Sequence, residues 1–572
     1  MRAIAATVIA CAALVAATPA SASATPPVTV AQLPGPAGCV SGDDRDVGCT
    51  KLQVAPFFAT LTITPGGDNL YLTGLGSDAG QVTTLKRDPV SGALSQAGCM
   101  TTGGRGGCAA VSALTGARAS AVSPDGRNVY TVTNGFAPGT AGALITFSRD
   151  ATTGDLRQTG CTGNANSCPD RDLAVAGADG VLVAPDGRHV YVAANGRLLT
   201  YQRAGDGSVQ RVDCIGSDSG CQRDPDLSEC RTKPPGACRA EGGFLPGELA
   251  FSPEARFLYV GTGRGPAEVF ARDPITGSLT PLGCDPRRTA CDPPDFYSSG
   301  LALARDGRNA YSVLAPRTIE ARPALVQSRR DAVGGQLVGT QCVGGQLPGA
   351  GCGPTPGLGR LDDVEASPGG GAVYASFGPD RTPSGWGLGV FARDRGDGSL
   401  TQTGCVSDTG SEGLCIQAAG LKGASALTIS PDGRSIYVSG ADGRIAVLGP
   451  AVGLSGRVVH FTAAGRARVQ LSCPRVARAR CTGALKIARP SRVRSAASRR
   501  ALATRRFSIS PGGRATVAVR LSREGKRALR RGKRAKAQLT LLARGRVSGR
   551  SLRQITLRRS PAKHRRGAGR RR

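Results

Sequence analysis

The chain has 572 residues with 82 glycines, 37 prolines and only 4% aromatics, a balance that argues against a helical enzyme and for short strands joined by many turns. Its net charge of +32 is unevenly held: residues 451–572 carry 36 Lys and Arg against one acid, Glu524, leaving 37 basic and 40 acidic groups in residues 1–450. The longer part is close to neutral, so a domain boundary is expected where the charge changes.

The first segment, MRAIAATVIACAALVAATPASASA, has a basic Arg2, an apolar run and an Ala22-Ser23-Ala24 exit, the pattern of a secretory signal over residues 1–24. Cys11 offers the alternative of a lipoprotein site, but it lies early and apolar sequence continues beyond it. No other run approaches the roughly 20 apolar residues of a transmembrane helix. The expected location is extracellular, in association with the cell envelope. Removing Cys11 with the signal leaves an even set of cysteines in close couples: Cys39–Cys49, Cys99–Cys108, Cys161–Cys168, Cys214–Cys221, Cys230–Cys238, Cys284–Cys291, Cys342–Cys352, Cys405–Cys415 and Cys473–Cys481. In an exported chain these read as disulfides. Zinc is the competing use of close cysteines, but CxxC spacing is absent and there are three histidines, so neither metal nor cofactor is expected.

Residues 25–450 are built on a repeated phrase. It reads TPGGDNLYLT from Thr64, SPDGRNVYTV from Ser123, APDGRHVYVA from Ala184, SPEARFLYVG from Ser252, ARDGRNAYSV from Ala304, SPGGGAVYAS from Ser367 and SPDGRSIYVS from Ser430. Seven of the nine tyrosines hold the same place: Tyr71, Tyr130, Tyr191, Tyr259, Tyr311, Tyr374 and Tyr437. Each copy predicts a hairpin, with proline fixing φ and glycine accepting a positive φ at the reversal. A second hairpin follows, as in ALITFSRDATTGDLRQTGC, so each unit holds four strands, the content of a propeller blade. A solenoid is the alternative, but periods near 60 residues with four antiparallel strands suit a closed ring better. The seventh unit lacks its fourth strand, whereas VTVAQLPGPAGC at the N-terminus ends like a fourth strand, so the N-terminal strand is expected to complete the seventh blade.

VYTVTNG from Val129 is close to the signature of the YVTN-repeat, lactonase-like seven-bladed propellers, and residues 28–450 resemble that family. The resemblance implies the fold. It also implies a possible activity, since some relatives open sugar or muconate lactones with polar groups, including His and Arg, at the channel mouth. The only propeller histidine, His189, lies between Arg188 and Val190 just after the tight turn and reads as a surface strand residue, so no catalytic residue carries over. The innermost strands instead suggest channel candidates. Small residues are expected there, and Glu248, Asp363 and Glu365 break the rule; such carboxylates serve cation binding or acid/base chemistry, or are simply solvated or paired with an arginine such as Arg360. The cysteine couples fall between blades on one face, a stapled crown that could present a protein or small-molecule ligand site.

Beyond Val458, alternating apolar positions and Gly-rich turns predict a small basic Ig-like β-sandwich over residues 451–560, closed by Cys473–Cys481, with REGKRALRRGKRAK as a short helix or loop and a basic disordered tail at 561–572. Its arginines would attract an anionic cell-wall polymer or anionic lipid, or reflect composition alone; no nucleic-acid motif is present. The chain as a whole reads as all-β: a secreted propeller scaffold or binding protein held at the envelope. The alternative is a lactone hydrolase of gluconolactonase or muconate-lactone type.

Overall fold

The computed structural model describes residues 30–559 apart from 34, 44–45, 47, 77–79, 135–141, 164–167, 217–247, 263–264, 283–295, 317–321, 346–350, 381–384, 441, 452, 455–457, 463, 474–479, 489–500, 512, 531–533 and 545–548. The expected signal at 1–24 and tail at 561–572 therefore lie outside the described residues.

Seven antiparallel sheets follow one another as the seven blades of a propeller. Blade two shows the pattern: Ala117–Val122, Asn128–Thr133, Ala143–Arg149 and Leu156–Gly163 pair in chain order. The innermost strands of the other blades are Phe57–Ile63, Ala178–Val183, Leu249–Phe251, Phe296–Leu303, Arg360–Ala366 and Ala424–Ile429. Blade seven closes as expected. Its third strand, Ile445–Pro450, pairs antiparallel with Val30–Gln32 and with Cys39–Ser41, so no sheet edge is left open at the join. Polar contacts reinforce this. The Gln32 amide donates to Ala419 O and accepts from Ala419 N, and Asp43 and Asp46 of the acidic GDDRD segment both pair with Arg444.

Among the described residues six disulfides are formed: Cys39–Cys49, Cys99–Cys108, Cys161–Cys168, Cys342–Cys352, Cys405–Cys415 and Cys473–Cys481. Cys214 is also disulfide-bonded, and the expected couples Cys214–Cys221, Cys230–Cys238 and Cys284–Cys291 involve residues outside those described. The bridged loops do something the sequence pattern does not announce. In blades one, two, six and seven the chain leaves the fourth strand, makes the bridged loop, and returns beside the same strand as a two-residue parallel strand. Parallel neighbours ordinarily need a long crossover. Here a covalent bridge closes a loop of about ten residues instead.

The repeated phrase also does more than turn the chain. In blade two, Gly126 adopts φ +70° and Ser123 Oγ accepts from Asn128 N at 2.9 Å while donating to Asp125. Asp125, Asn128 and Tyr130 then all reach the next blade. Arg203 donates to Asp125 at 2.8 Å, to Asn128 Oδ1 at 2.6 Å and from Nε to Tyr130 Oη at 2.9 Å, while Tyr130 donates to Gly207 O at 2.7 Å. The same Nε-to-tyrosine bond joins Arg272 to Tyr191, Arg330 to Tyr259, Arg393 to Tyr311 and, across the closure, Arg87 to Tyr437. In the seam between blades one and two, Arg149 donates instead to Asn69, and Tyr71 to Gly154 O. The seam between blades six and seven is different. Among the described residues Tyr374 faces no arginine, because Pro450 ends the third strand of blade seven where the other blades place theirs. That seam is apolar, with Tyr374 packed among Ala372, Leu388, Val390, Leu427 and Leu448.

His189 is corrected by this arrangement. Expected at the surface, it is 1% exposed, because it occupies the place that Asn128 holds in blade two and the turn of blade four folds over it: a side chain at Gly277 would lie 2.3 Å from His189 Cδ2. Its Nδ1 lies 2.9 Å from Arg272 Nη2 and accepts from that guanidinium, which fixes the neutral ring with its proton on Nε2.

After the propeller, strands Gly453–Leu454, Arg466–Ser472 and Arg514–Arg520 form one sheet, and Val458–Phe461, Cys481–Ala488, Ala503–Ile509, Arg534–Arg544 and Gly549–Arg559 form another. Their apolar faces, including Val469, Val519, Phe461, Leu485 and Leu539, share one core. REGKRALRRGKRAK contributes a helix, Arg523–Arg530.

Candidate functional site

The central channel is lined by the innermost strands, and most of these carry a one-residue bulge near the disulfide-bearing face. A bulge lets one side chain leave the alternation and re-aims it. The residues released in this way are Arg118, Asp179, Ser299, Asp362 and Ser425 in blades two, three, five, six and seven, and all are half-buried. They lie one position before the residues expected to line the channel, which is why counting back from the repeat phrase missed all but their neighbours. The Arg118 guanidinium lies 3.4 Å from Asp179, which also accepts from Asn134 Nδ2 at 2.9 Å. Burial lowers the proton affinity of Arg118, and Asp179 opposes that effect.

The three expected carboxylates do come together, on blades four and six. Each also bonds main-chain N–H groups. Glu248 of blade four accepts from Leu301 N of blade five. Asp363 of blade six accepts from Leu427 N of blade seven at 2.9 Å and from Val364 N at 2.7 Å, and Glu365 accepts from Ala366 N at 3.1 Å. Blade five approaches blade six closely enough for this only because of Gly300, where a Cβ would stand 2.9 Å from both Asp363 Cα and Val364 N.

These groups are half-buried, and desolvation is the leading influence on all of them. It raises Glu248 well above the ordinary carboxylate range, with further upward pressure from the charge of Asp363 and a partial offset from Leu301 N. A side-chain hydrogen bond shared by Glu248 and Asp363 pushes Glu248 further up and Asp363 down. Burial pushes Asp363 up to about 7, against its bonds from Leu427 N and Val364 N, and pushes Glu365 up to about 8 with help from the charge of Asp363. Asp362 rises to about 6, again by burial, with Arg360 opposing. Arg360, the arginine expected to balance the cluster, lies 4.0 Å from Asp362 rather than from Asp363.

The arrangement is thus a cluster of acids with raised proton affinities on blades four and six, with the Arg118–Asp179 pair on blades two and three. Thr60 and Thr62 also tie blades together, as donors: their hydroxyls donate to Arg118 O at 3.0 Å and Ser120 O at 2.5 Å. Ser439 does so across the closure, to Ala59 O at 2.8 Å. In this setting Glu248 and Asp363 act as acceptors that pin neighbouring inner strands.

The cationic region presents a second candidate surface. Arg466, Arg468, Arg514 and Arg520 are exposed on the three-stranded sheet, and Arg505 and Arg506 on the five-stranded one. Among the described residues no helix is long and apolar enough to cross a membrane.

No family model matches the chain, and no curated protein matches it. Among solved structures it is similar to two proteins assigned as 6-phosphogluconolactonases. The one from Bacteroides fragilis is 16% identical, with TM-score 0.44, over 68% of this chain and 86% of that one. The one from Bacteroides uniformis is 18% identical, with TM-score 0.44, over 69% and 88%. A periplasmic gluconolactonase from Pseudomonas aeruginosa is 16% identical, with TM-score 0.44, over 81% of this chain and 99% of that one. The likeness is to lactonase-like propellers and is one of fold.

Proposed function

We propose that the protein is an exported propeller scaffold, held at a polyanionic envelope surface by a basic β-sandwich over residues 451–560. The observation that carries this reading is the placement of charge. Residues 451–572 hold 36 cations and one carboxylate, and five of the arginines, Arg466, Arg468, Arg506, Arg514 and Arg520, stand exposed on strand faces whose opposite sides fill the core. Such a surface attracts anionic polymers by releasing their counterions, so binding weakens steeply as salt rises. The interlocked ring suits a rigid display platform, with the disulfide-bearing face as the surface offered to a ligand. The test is co-sedimentation of the purified chain with isolated envelopes over a salt series. Retention that falls with salt and is competed by a soluble polyanion supports attachment by charge; retention indifferent to both overturns it.

The second reading is lactone hydrolysis at the channel mouth. It draws on Asp362 and Asp363, whose raised proton affinities suit acid/base work near neutral pH. Against it, Glu248, Asp363 and Glu365 are engaged by main-chain donors. A lactone-hydrolysis screen of the oxidised protein, with Glu248→Gln and Asp363→Asn as controls, separates the two: turnover abolished by these changes would install the hydrolase.

A further inference from the structure

The two longest strands of the three-stranded sheet, Arg466–Ser472 and Arg514–Arg520, run antiparallel with a register that fixes their outward face. Ala467, Val469, Leu471, Val517 and Val519 point into the core. The alternate positions are exposed: Arg466, Arg468 and Gln470 on one strand, Arg514, Thr516, Ala518 and Arg520 on the other. Arg466 stands directly opposite Arg520, and Arg468 opposite Ala518. Like charges facing each other across a ladder destabilise a sheet. Lys526 adds to the same end, since its side chain packs over the turn at Gly465, where a Cβ would lie 2.9 Å from Lys526 Cε. Glu524, the one carboxylate of the region, lies in the first turn of that helix.

We infer that this face is a built binding site for a linear, phosphate-bearing polymer, with the chain lying along the strands from the Arg466–Arg520–Lys526 end towards Arg514. The inference deepens the envelope-attachment reading and rests on it. Two features choose a soluble chain over a bilayer. The face carries only Arg, Gln, Thr and Ala, with no large apolar or aromatic side chain to enter a membrane. Its cations are also strung out, since seven residues of strand extend roughly 20 Å, so one terminal phosphate cannot engage both ends. Arginine suits the task because its guanidinium meets phosphate oxygens in pairs. Bound phosphates would also relieve the repulsion between Arg466 and Arg520.

The test uses the full oxidised chain and inorganic polyphosphate of graded length, with phosphatidylglycerol vesicles as the membrane arm. Affinity is expected to climb until the polymer spans roughly 20 Å and then to level when expressed per binding segment. The triple variant Arg466→Gln/Arg468→Gln/Arg520→Gln should lose at least tenfold in affinity, with the salt slope reduced by about two to three. Arg505→Gln/Arg506→Gln, on the other sheet, should lose no more than about threefold. A single Arg520→Gln should bind less tightly yet unfold at a higher temperature without ligand, an outcome that misfolding cannot produce. Equal losses in the triple and double variants, no dependence on length, or tighter binding to vesicles would each overturn the assigned face while leaving charge-driven attachment standing. Failure of the unaltered chain to bind any of these probes would remove the attachment reading itself.

Discussion

Replacing Tyr130 by Phe removes one oxygen from the seam between blades two and three. That oxygen donates to Gly207 O at 2.7 Å and accepts from Arg203 Nε at 2.9 Å, so its loss leaves a buried carbonyl and a guanidinium N–H each short of a partner. A neutral hydrogen bond is worth about 1 kcal/mol and one to a charged group about 1.5–3, so the expected loss is about 3 kcal/mol. With an unfolding entropy of about 2.1 cal/mol/K per residue over roughly 420 residues, this lowers the melting temperature by about 3 °C. Tyr374→Phe is the matched control. Burial alone raises that phenol, and no arginine stands against it, so the change should cost less than about 1 kcal/mol. The chain has one tryptophan, and Trp386 packs against the core between blades six and seven, so thermal unfolding of both variants can be followed by its fluorescence. Equal losses at the two tyrosines would refute the seam mechanism.

Other consequences concern protons and packing. His189 is buried neutral and its proton affinity is lowered, first by desolvation and then by Arg272, so its contribution to stability is full above about pH 6.5 and lost as pH falls below that value; His189→Asn, which restores the residue of blade two, should flatten this acid limb in urea titrations. The channel acids have the opposite sign. Asp362, Asp363 and Glu365 are raised to about 6, 7 and 8, so the folded ring binds more protons than the unfolded chain and loses stability as pH rises from about 4 through those values. Glu365→Gln should therefore stabilise the protein at pH 8 and have little effect at pH 4, read from denaturation midpoints at each pH. Gly300→Ala forces a Cβ against the main chain of blade six and should cost about 1–3 kcal/mol, whereas Gly369→Ala, where a Cβ meets nothing within 4 Å, should cost less than half of that.

The ring was legible because its signals repeat. Tyrosine spacing, Pro-Asp-Gly turns and the missing fourth strand of the last unit led to seven blades and to closure by residues near Val30, and the register of Val30–Gln32 with Leu448–Pro450 agrees. The parallel strands after the disulfides were not legible, because two-residue strands such as Ala109–Ala110 have no periodicity to read. His189 misled because its neighbours in sequence are exposed or core residues, while the turn that covers it comes from the next blade, some 86 residues on in the Tyr191–Gly277 contact. The channel acids were identified as exceptions, but Glu248 and Asp363 find partners in main-chain N–H groups of the next blades, Leu301 N and Leu427 N, which no side-chain motif encodes. One signal was available and passed over. Six third strands end in Arg at a fixed offset, as in KRDP and ARDP, whereas the seventh reads VLGP, and that difference marks the seam without an arginine lock.

Attachment by charge is most directly tested by comparing the full chain with one ending at residue 450, each titrated onto isolated envelopes while salt is raised. The account predicts that the full chain is retained at low salt and released on a steep logarithmic slope, and that the shorter chain, close to neutral, stays in solution throughout. Equal retention of the two chains at low salt would contradict it.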